Sequence, residues 1–437
     1  MKKKILIILF LSISAIFSQA RKIDFTEYKL DNGLKVILHK DNTTPIVAVG
    51  IMYHVGSKNE DPSRTGFAHF FEHLMFEGSQ NIQRGELDKI LAKAGATNNA
   101  NTSQDRTYYF EILPSNELEL GLWVESERLL HAKIDEIGVE TQRKVVKEEK
   151  KQRIDNQPYG SLMQEIFVRA FKKHPYNWVP IGSEQYIDEA TIEEFRDFYK
   201  TFYVPENATL VIAGDIEIDK TKEYVAKYFK DIPKGNHEIP RPTVVEPPLN
   251  GEIRDTVFDN IQLPLVVQAY RVPSINHEDS YAIEMLSSLL SGGPSSRLRK
   301  ALVDNKQSAV EVASFNFGLE DQGLFMIYGV SNMGISADTV EKDIQEELNK
   351  VINEKMLEKE FQKLKNQIES NYVGGRSSMA GLASKLASYS VMNGNTNLIN
   401  TEIDKYKNVT IDDIQRVAKK YLSKDNRVVL YYLPKSE

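Results

Sequence analysis

Cysteine is absent from the 437-residue chain. No disulfide, thiolate nucleophile or cysteine-linked lipid anchor is therefore available, and any metal must be held by histidine and carboxylate side chains. Basic charge is also short: 55 Lys and Arg face 62 Asp and Glu, a formal charge of −7 at pH 7. An acidic body excludes nucleic acid as an expected partner, because phosphate binding leans on clustered Lys and Arg. Long apolar runs are missing as well. The longest, Ile5 to Phe17, follows Lys2, Lys3 and Lys4 and precedes the small residues of Ser18-Gln19-Ala20. It is shorter than the ~20 residues a spanning helix needs, so residues 1–20 are expected to be a cleaved secretory signal. Its removal takes three lysines and no acids. The mature chain is then more acidic still, without a stable membrane span, and is expected in the periplasm or, alternatively, secreted.

What is present suits a folded body of two domains. Apolar residues make up 41% and charged residues 27% of a chain long enough for more than one core. Glu27 to His39 reads as two short strands joined at Asp31-Asn32-Gly33, which supplies the positive-φ positions of a tight hairpin. Ile46 to Met52 is a buried strand, Gly66 to Phe76 and Glu86 to Ala94 are helical, and Thr107 to Leu113 returns to strand. Leu118, Leu122, Trp123 and Leu129 give Glu117 to Leu130 one apolar face. The class is α+β.

A long-period repeat divides the chain. Thr191-Ile-Glu-Glu-Phe195, Asn207 and Leu210-Val-Ile-Ala213 recur 219 residues later as Thr410-Ile-Asp-Asp-Ile414, Asn426 and Val429 onward within Val428-Val-Leu-Tyr431. Pro45-Ile-Val47 falls on Pro264-Leu-Val266 at the same offset. Such a period is too long for a solenoid and indicates two domains of one fold. The expected division is 21–232, a proline-rich linker 233–250 containing Pro233, Pro240, Pro242, Pro247 and Pro248, and 251–437.

The sharpest local signal is His69-Phe-Phe-Glu72-His73. On a helix His69 and His73 share a face, with Glu72 at its edge. Two imidazoles so placed can grip one zinc ion while the carboxylate meets a water, and H-x-x-E-H is the inverted zinc-peptidase signature. Catalytic zinc sites take three protein ligands and keep an open position. The third ligand is sought on the helix Glu140 to Ile154, where Glu149 follows Val145 and Val146 by four and three residues, and Glu148 competes with it. In such a site the metal activates water and polarises a carbonyl, and Glu72 takes the proton. Two core histidines on an apolar helix are the alternative, disfavoured by the intervening Glu72. Glu77 is a weaker ligand candidate, and the other six histidines are taken as ordinary strand, turn and linker residues.

These residues resemble the M16 metallopeptidases, the group of pitrilysin and the mitochondrial processing peptidase, in the short bacterial two-domain form. The resemblance runs through Leu30 to Val36, Gly66 to Phe76, Asn99 to Ser103, Val145 to Glu149, Pro158-Tyr-Gly160, His174-Pro-Tyr176 and Gly214-Asp215. It implies two α/β-sandwich domains, antiparallel-rich sheets covered by helices, forming half a clam shell. It further implies a zinc endopeptidase acting on unfolded peptides in an enclosed chamber, with one Zn²⁺ per chain. His69, His73 and Glu149 then correspond to the zinc ligands, Glu72 to the base, and Asn99 and Ala100 to an edge strand that pairs with substrate.

One departure bears on assembly. Many members carry an Arg and a Tyr seven apart in the second domain, and the aligned positions here are Val303 and Val310; Arg297 and Arg299 do not align with that arginine. Nor does the second domain repeat the metal motif, since His69 and His73 fall on Ser288 and Gly292, or with a short gap on Glu284 and Ser288. The resemblance therefore implies a heterodimer in which a second M16-like subunit supplies the Arg and Tyr. The alternative function is a non-catalytic scaffold or peptide-binding subunit, which predicts eroded metal residues; a zinc hydrolase of a non-peptide substrate fits the resemblance least.

Overall fold

The computed structural model describes residues 22–435, and the expected signal segment lies outside the described residues. The first sheet has six strands: β1 (Thr26–Lys29), β2 (Lys35–Lys40), β3 (Ile46–Tyr53), β4 (Thr97–Thr102), β5 (Thr107–Pro114) and β6 (Ala208–Gly214). They lie in the order β1-β2-β6-β3-β5-β4, so β4 is an edge. The expected hairpin is present, with Thr26 opposite Leu38, and Gly33 turns it at φ +93°, where a side chain is strained. β6 is buried along its whole length, which suits a strand lying between parallel β2 and antiparallel β3.

Among the described residues, eight helices accompany this half of the chain: α1 (Phe67–Leu74), α2 (Leu87–Lys93), α3 (Leu118–His131), α4 (Glu136–Lys150), α5 (Leu162–Ala170), α6 (Glu184–Glu189), α7 (Ile192–Phe202) and α8 (Ile218–Phe229). The second sheet, ordered β7-β11-β8-β10-β9, comprises β7 (Ile253–Asp259), β8 (Leu265–Pro273), β9 (Ala309–Phe317), β10 (Gln322–Ser331) and β11 (Arg427–Pro434). With it go α9 (Ser280–Ser291), α10 (Ala337–Asn353), α11 (Glu358–Gly374), α12 (Met379–Met392), α13 (Leu398–Asn408) and α14 (Ile411–Tyr421).

The repeat is visible atom by atom at the helix starts. Thr191 caps α7 in a reciprocal box with Glu194, and Thr410 caps α14 in the same box with Asp413. Each helix is followed by a buried strand, β6 and β11, that pairs antiparallel with the apolar strand β3 or β8. Both sheets are mixed, because β2 and β6 run parallel, as do β7 and β11.

The packing crosses the sequence division. Ile166, Phe167 and Ala170 of α5 join a core with Val267, Ala269, Val428 and Leu430 of the second sheet. Reciprocally, Leu382, Ala383, Leu386 and Ala387 of α12 pack on Ile37, Ala48, Met52, Val211 and Ala213 of the first. Each domain thus covers the open face of the other's sheet with one helix. A polar tie reinforces this exchange: buried Lys58 reaches Asp105 at 3.0 Å, Glu320 at 2.6 Å and Asp321 at 3.1 Å.

Candidate metal centre

α1 is fixed by its apolar face and by its start. Phe67 and Phe70 stack on Phe195 of α7, and Phe71 stacks on Phe198. Burying those rings turns the other face, with His69 and His73, toward a cleft. Gly66 begins the helix at φ +103°, and the first turn is capped by a buried carboxylate. Glu60 accepts from Gly66 N at 2.9 Å, Ala68 N at 2.8 Å and Trp178 Nε1 at 3.0 Å. Burial raises the Glu60 carboxyl to about 8 against the pull of these three donors.

Across the cleft, α4 buries Val146 and brings Glu149 to the two histidines. Glu149 Oε2 lies 3.0 Å from His73 Nε2 and 3.5 Å from His69 Nε2. Glu148 is exposed and accepts from Gln152 at 3.0 Å, so of the two competing acids Glu149 is the one beside the imidazoles. Val145 is 43% exposed and lines the cleft rather than the core stripe on which its spacing placed it. Glu77 is buried against Arg84 and Gln142. Among the described residues, His69, His73 and Glu149 form the one group of His, Cys, Asp or Glu able to share a metal, their ligand atoms lying within 4.8 Å of one another.

The donor set fits zinc. Bonds of ~2.0–2.1 Å at a tetrahedral angle put neighbouring ligand atoms ~3.4 Å apart, close to the 3.0 and 3.5 Å between Glu149 and the two rings. Glu149 Oε2 is buried and makes no well-angled hydrogen bond to either ring, as expected of lone pairs aimed at a common point. Burial, with His73 beside it, pushes His69 down to about 4, which keeps the imidazole neutral and its nitrogen free to ligate. Contact with His73 foremost, and the charge of Arg153, hold Glu149 below the usual carboxylate range. Its other oxygen, Oε1, pairs with Arg153 at 2.6 Å.

Glu72 faces the same cleft and is no member of the triad. Its Oε2 accepts from Thr102 Oγ1 of β4 at 2.6 Å, and burial raises its carboxyl. The cleft holds about 530 Å³ and is lined on one side by Asn99 to Thr102 and on the other by Gln142, Val145 and Arg153. Ser103 N donates to Arg106 O at the β4–β5 turn. The alternation of an antiparallel ladder then directs the backbone of Ala100 away from β5, toward the open edge. Asn99 Oδ1 currently accepts from that Ala100 amide at 2.8 Å.

Comparison with known proteins decides the family. Residues 35–178 match the insulinase family, peptidase family M16, and residues 189–368 match the peptidase M16 inactive domain. The zinc protease PqqE of Helicobacter pylori is 33% identical over 93% of this chain and 92% of its own length. The chain belongs to peptidase family M16. A crystal structure of a protease from Helicobacter pylori superposes with a TM-score of 0.91 at 31% identity, covering 94% of this chain and all of that one. The periplasmic protease PqqL from Escherichia coli shares the fold, with a TM-score of 0.78 at 19% identity, over 95% of this chain but 48% of its own. The fold of this M16 chain is accordingly the family's pair of α/β domains, each a mixed sheet wrapped by helices.

In the second domain Arg297 is held by Glu360 at 2.6 Å, Val303 is half-buried, and Val310 is exposed on β9. Three residues that shape the metal side escaped the sequence analysis. Thr102 sits in the quoted edge-strand run, two residues beyond Ala100, and period-two spacing could have put it on the same strand face. Arg153 lies four beyond Glu149, a spacing that signals a helical ion pair. Glu60 offers no local signal, since it caps α1 from a loop.

Proposed function

We propose that this chain is a zinc-dependent endopeptidase in which His69, His73 and Glu149 hold the metal and Glu72 is the general base. The observation that carries it is the convergence of two imidazole nitrogens and one carboxylate oxygen beside a separate buried carboxylate. Bound zinc supplies a Lewis acid for the scissile carbonyl and lowers the pKa of water to ~7. Glu72, with its carboxyl raised by burial and oriented by Thr102, is suited to take the attacking water's proton and return it to the leaving amine. An extended peptide adds to the free edge of β4, with main-chain bonds to Ala100 and a side-chain contact from Asn99, once Asn99 releases the Ala100 amide.

The working enzyme is larger than one chain in this proposal. Val303 and Val310 stand where a substrate-contacting Arg and Tyr are expected, and neither side chain can donate a hydrogen bond. A second M16-like subunit supplies that pair and closes a chamber that admits unfolded peptides and excludes folded proteins. The doubled length of PqqL is consistent with such an arrangement. The proposed division of the chain is 21–232, linker 233–250 and 251–437, with export to the periplasm after loss of residues 1–20. No helix among the described residues is long and apolar enough to cross a membrane.

The test is turnover of a fluorogenic oligopeptide. Activity abolished by a chelator and restored by zinc supports the proposal, and chelator-insensitive turnover overturns it. Equal rates for the purified chain and a co-expressed pair would remove the second subunit.

A further inference from the structure

The metal side of the cleft carries one charged group that neither metal binding nor proton transfer uses. Arg153 follows Glu149 by four residues, in the π-turn Lys151–Asp155 that ends α4, and its side chain is 77% exposed. Nη1 pairs with Glu149 Oε1 at 2.6 Å, which holds the guanidinium at the cleft it lines. A guanidinium has five N–H donors in a planar fork, so most of its donors remain available to a bound chain. Arg153 is also the one Lys or Arg among the residues lining the cleft. Counting Glu72 and Glu149 against a bound dication, the lining residues carry one net positive charge, on a guanidinium that shares Glu149 Oε1.

We propose that Arg153 is a specificity-determining residue that selects peptides with a carboxylate, from Asp, Glu or a chain terminus, close to the scissile bond. The inference rests on the peptidase function proposed for this cleft. A peptide lying along β4 advances ~3.3 Å per residue and turns alternate side chains to one face. Only one or two positions beside the scissile bond can therefore present an acid to Arg153. A carboxylate there receives a charge-assisted, two-pronged contact that an amide of the same shape cannot match.

Paired peptides, identical except for Glu or Gln at each position flanking the cleavage site, test this at low ionic strength, where such charges are least screened. Cleavage by the zinc-loaded enzyme gives kcat/KM, and binding to the Glu72→Gln enzyme gives Kd without turnover. The expected result is a preference for Glu of about tenfold or more at one position in both assays. In Arg153→Gln the ratio falls to about one, whatever the absolute rate, and in Arg153→Glu a Lys peptide overtakes the Glu peptide. Cleavage without any Glu-over-Gln preference, or a preference that survives in Arg153→Gln, overturns the proposal. If no peptide is bound or cleaved by the wild-type enzyme, the peptidase function itself fails instead.

Discussion

The two domains share a topology and differ in what their equivalent helices carry. In the first, α1 presents His69, Glu72 and His73 to Glu149 of α4. At the repeat offset the second domain has Ser288, Ser291, Gly292 and Ile368. Ile368 is buried in an apolar cluster, and the neighbouring Gln367 Nε2 donates to Gly292 O at 2.9 Å. This helix pair closes through packing and a side-chain amide hydrogen bond, with no donor set for a metal. The same arrangement of helices thus stands without a metal in the second domain.

A second contrast lies at the helix starts, where buried acids stand one repeat apart. Glu60 caps α1 through N–H groups alone, and burial takes it up to about 8. Its counterpart Asp279 is also buried, but Tyr421, Lys420 and Arg416 hold it down at about 2. The difference is one of partners: Asp279 meets Arg416 at 2.7 Å and Lys420 at 2.9 Å, whereas the donors to Glu60 carry no net charge. The helix of the candidate metal site thus leans on a cap with a desolvation cost, its counterpart in the second domain on an ion cluster.

The comparison can be broken from the chemical side first. Glu72→Gln should lose roughly 10³-fold in kcat, within the range general-base removal costs, while metal analysis finds its zinc intact. Glu149→Gln should weaken zinc by more than the ~10–100-fold that losing an outer-shell partner costs, read by chelator competition. Its far-UV circular dichroism should match wild type, because the second domain shows the same helix pair standing without a metal.

Stability variants sharpen the other contrast. Glu60→Ala leaves two N–H groups at the start of α1 without their acceptor, while the Trp178 indole keeps Ser57 O at 2.9 Å, and should cost about 2–3 kcal/mol in urea unfolding. Asp279→Asn should cost less, roughly 1–2 kcal/mol at pH 7, since Arg416 and Lys420 are about half exposed. Because the folded pKa of Asp279 is depressed, its contribution is present above the unfolded value of ~4 and is lost as pH falls toward 2. The gap between wild type and Asp279→Asn should therefore close on acidification through that window.

Local signals carried much of this architecture. The Gly33 hairpin and the spacing of His69 and His73 each depend on residues within a few positions of one another, and each is where the sequence placed it, while the capping boxes at Thr191 and Thr410 lie inside the segments that the repeat picks out. Glu149 was harder, because helical periodicity leaves it equivalent to Glu148 until the opposing helix is known. Val145 illustrates the limit: it has the spacing of a core residue and lines the cleft, since the stripe facing α1 is partly open. The exchange of α5 and α12 between sheets left no local trace, because apolar helices read alike whichever sheet they cover. Lys58 was invisible because its partners Asp105, Glu320 and Asp321 are distant in sequence, and Glu60 because it caps α1 from the preceding loop.

The central claim is that chemistry resides in one metal site in the first domain and that the second contributes none. Zinc stoichiometry tests it most directly, measured on the purified protein beside a His69→Ala, His73→Ala double variant, with peptide turnover in the same samples. The account predicts one zinc per chain in the wild type and loss of zinc and turnover together in a variant that stays folded. A folded double variant that keeps stoichiometric zinc, or still cleaves peptide, would contradict it.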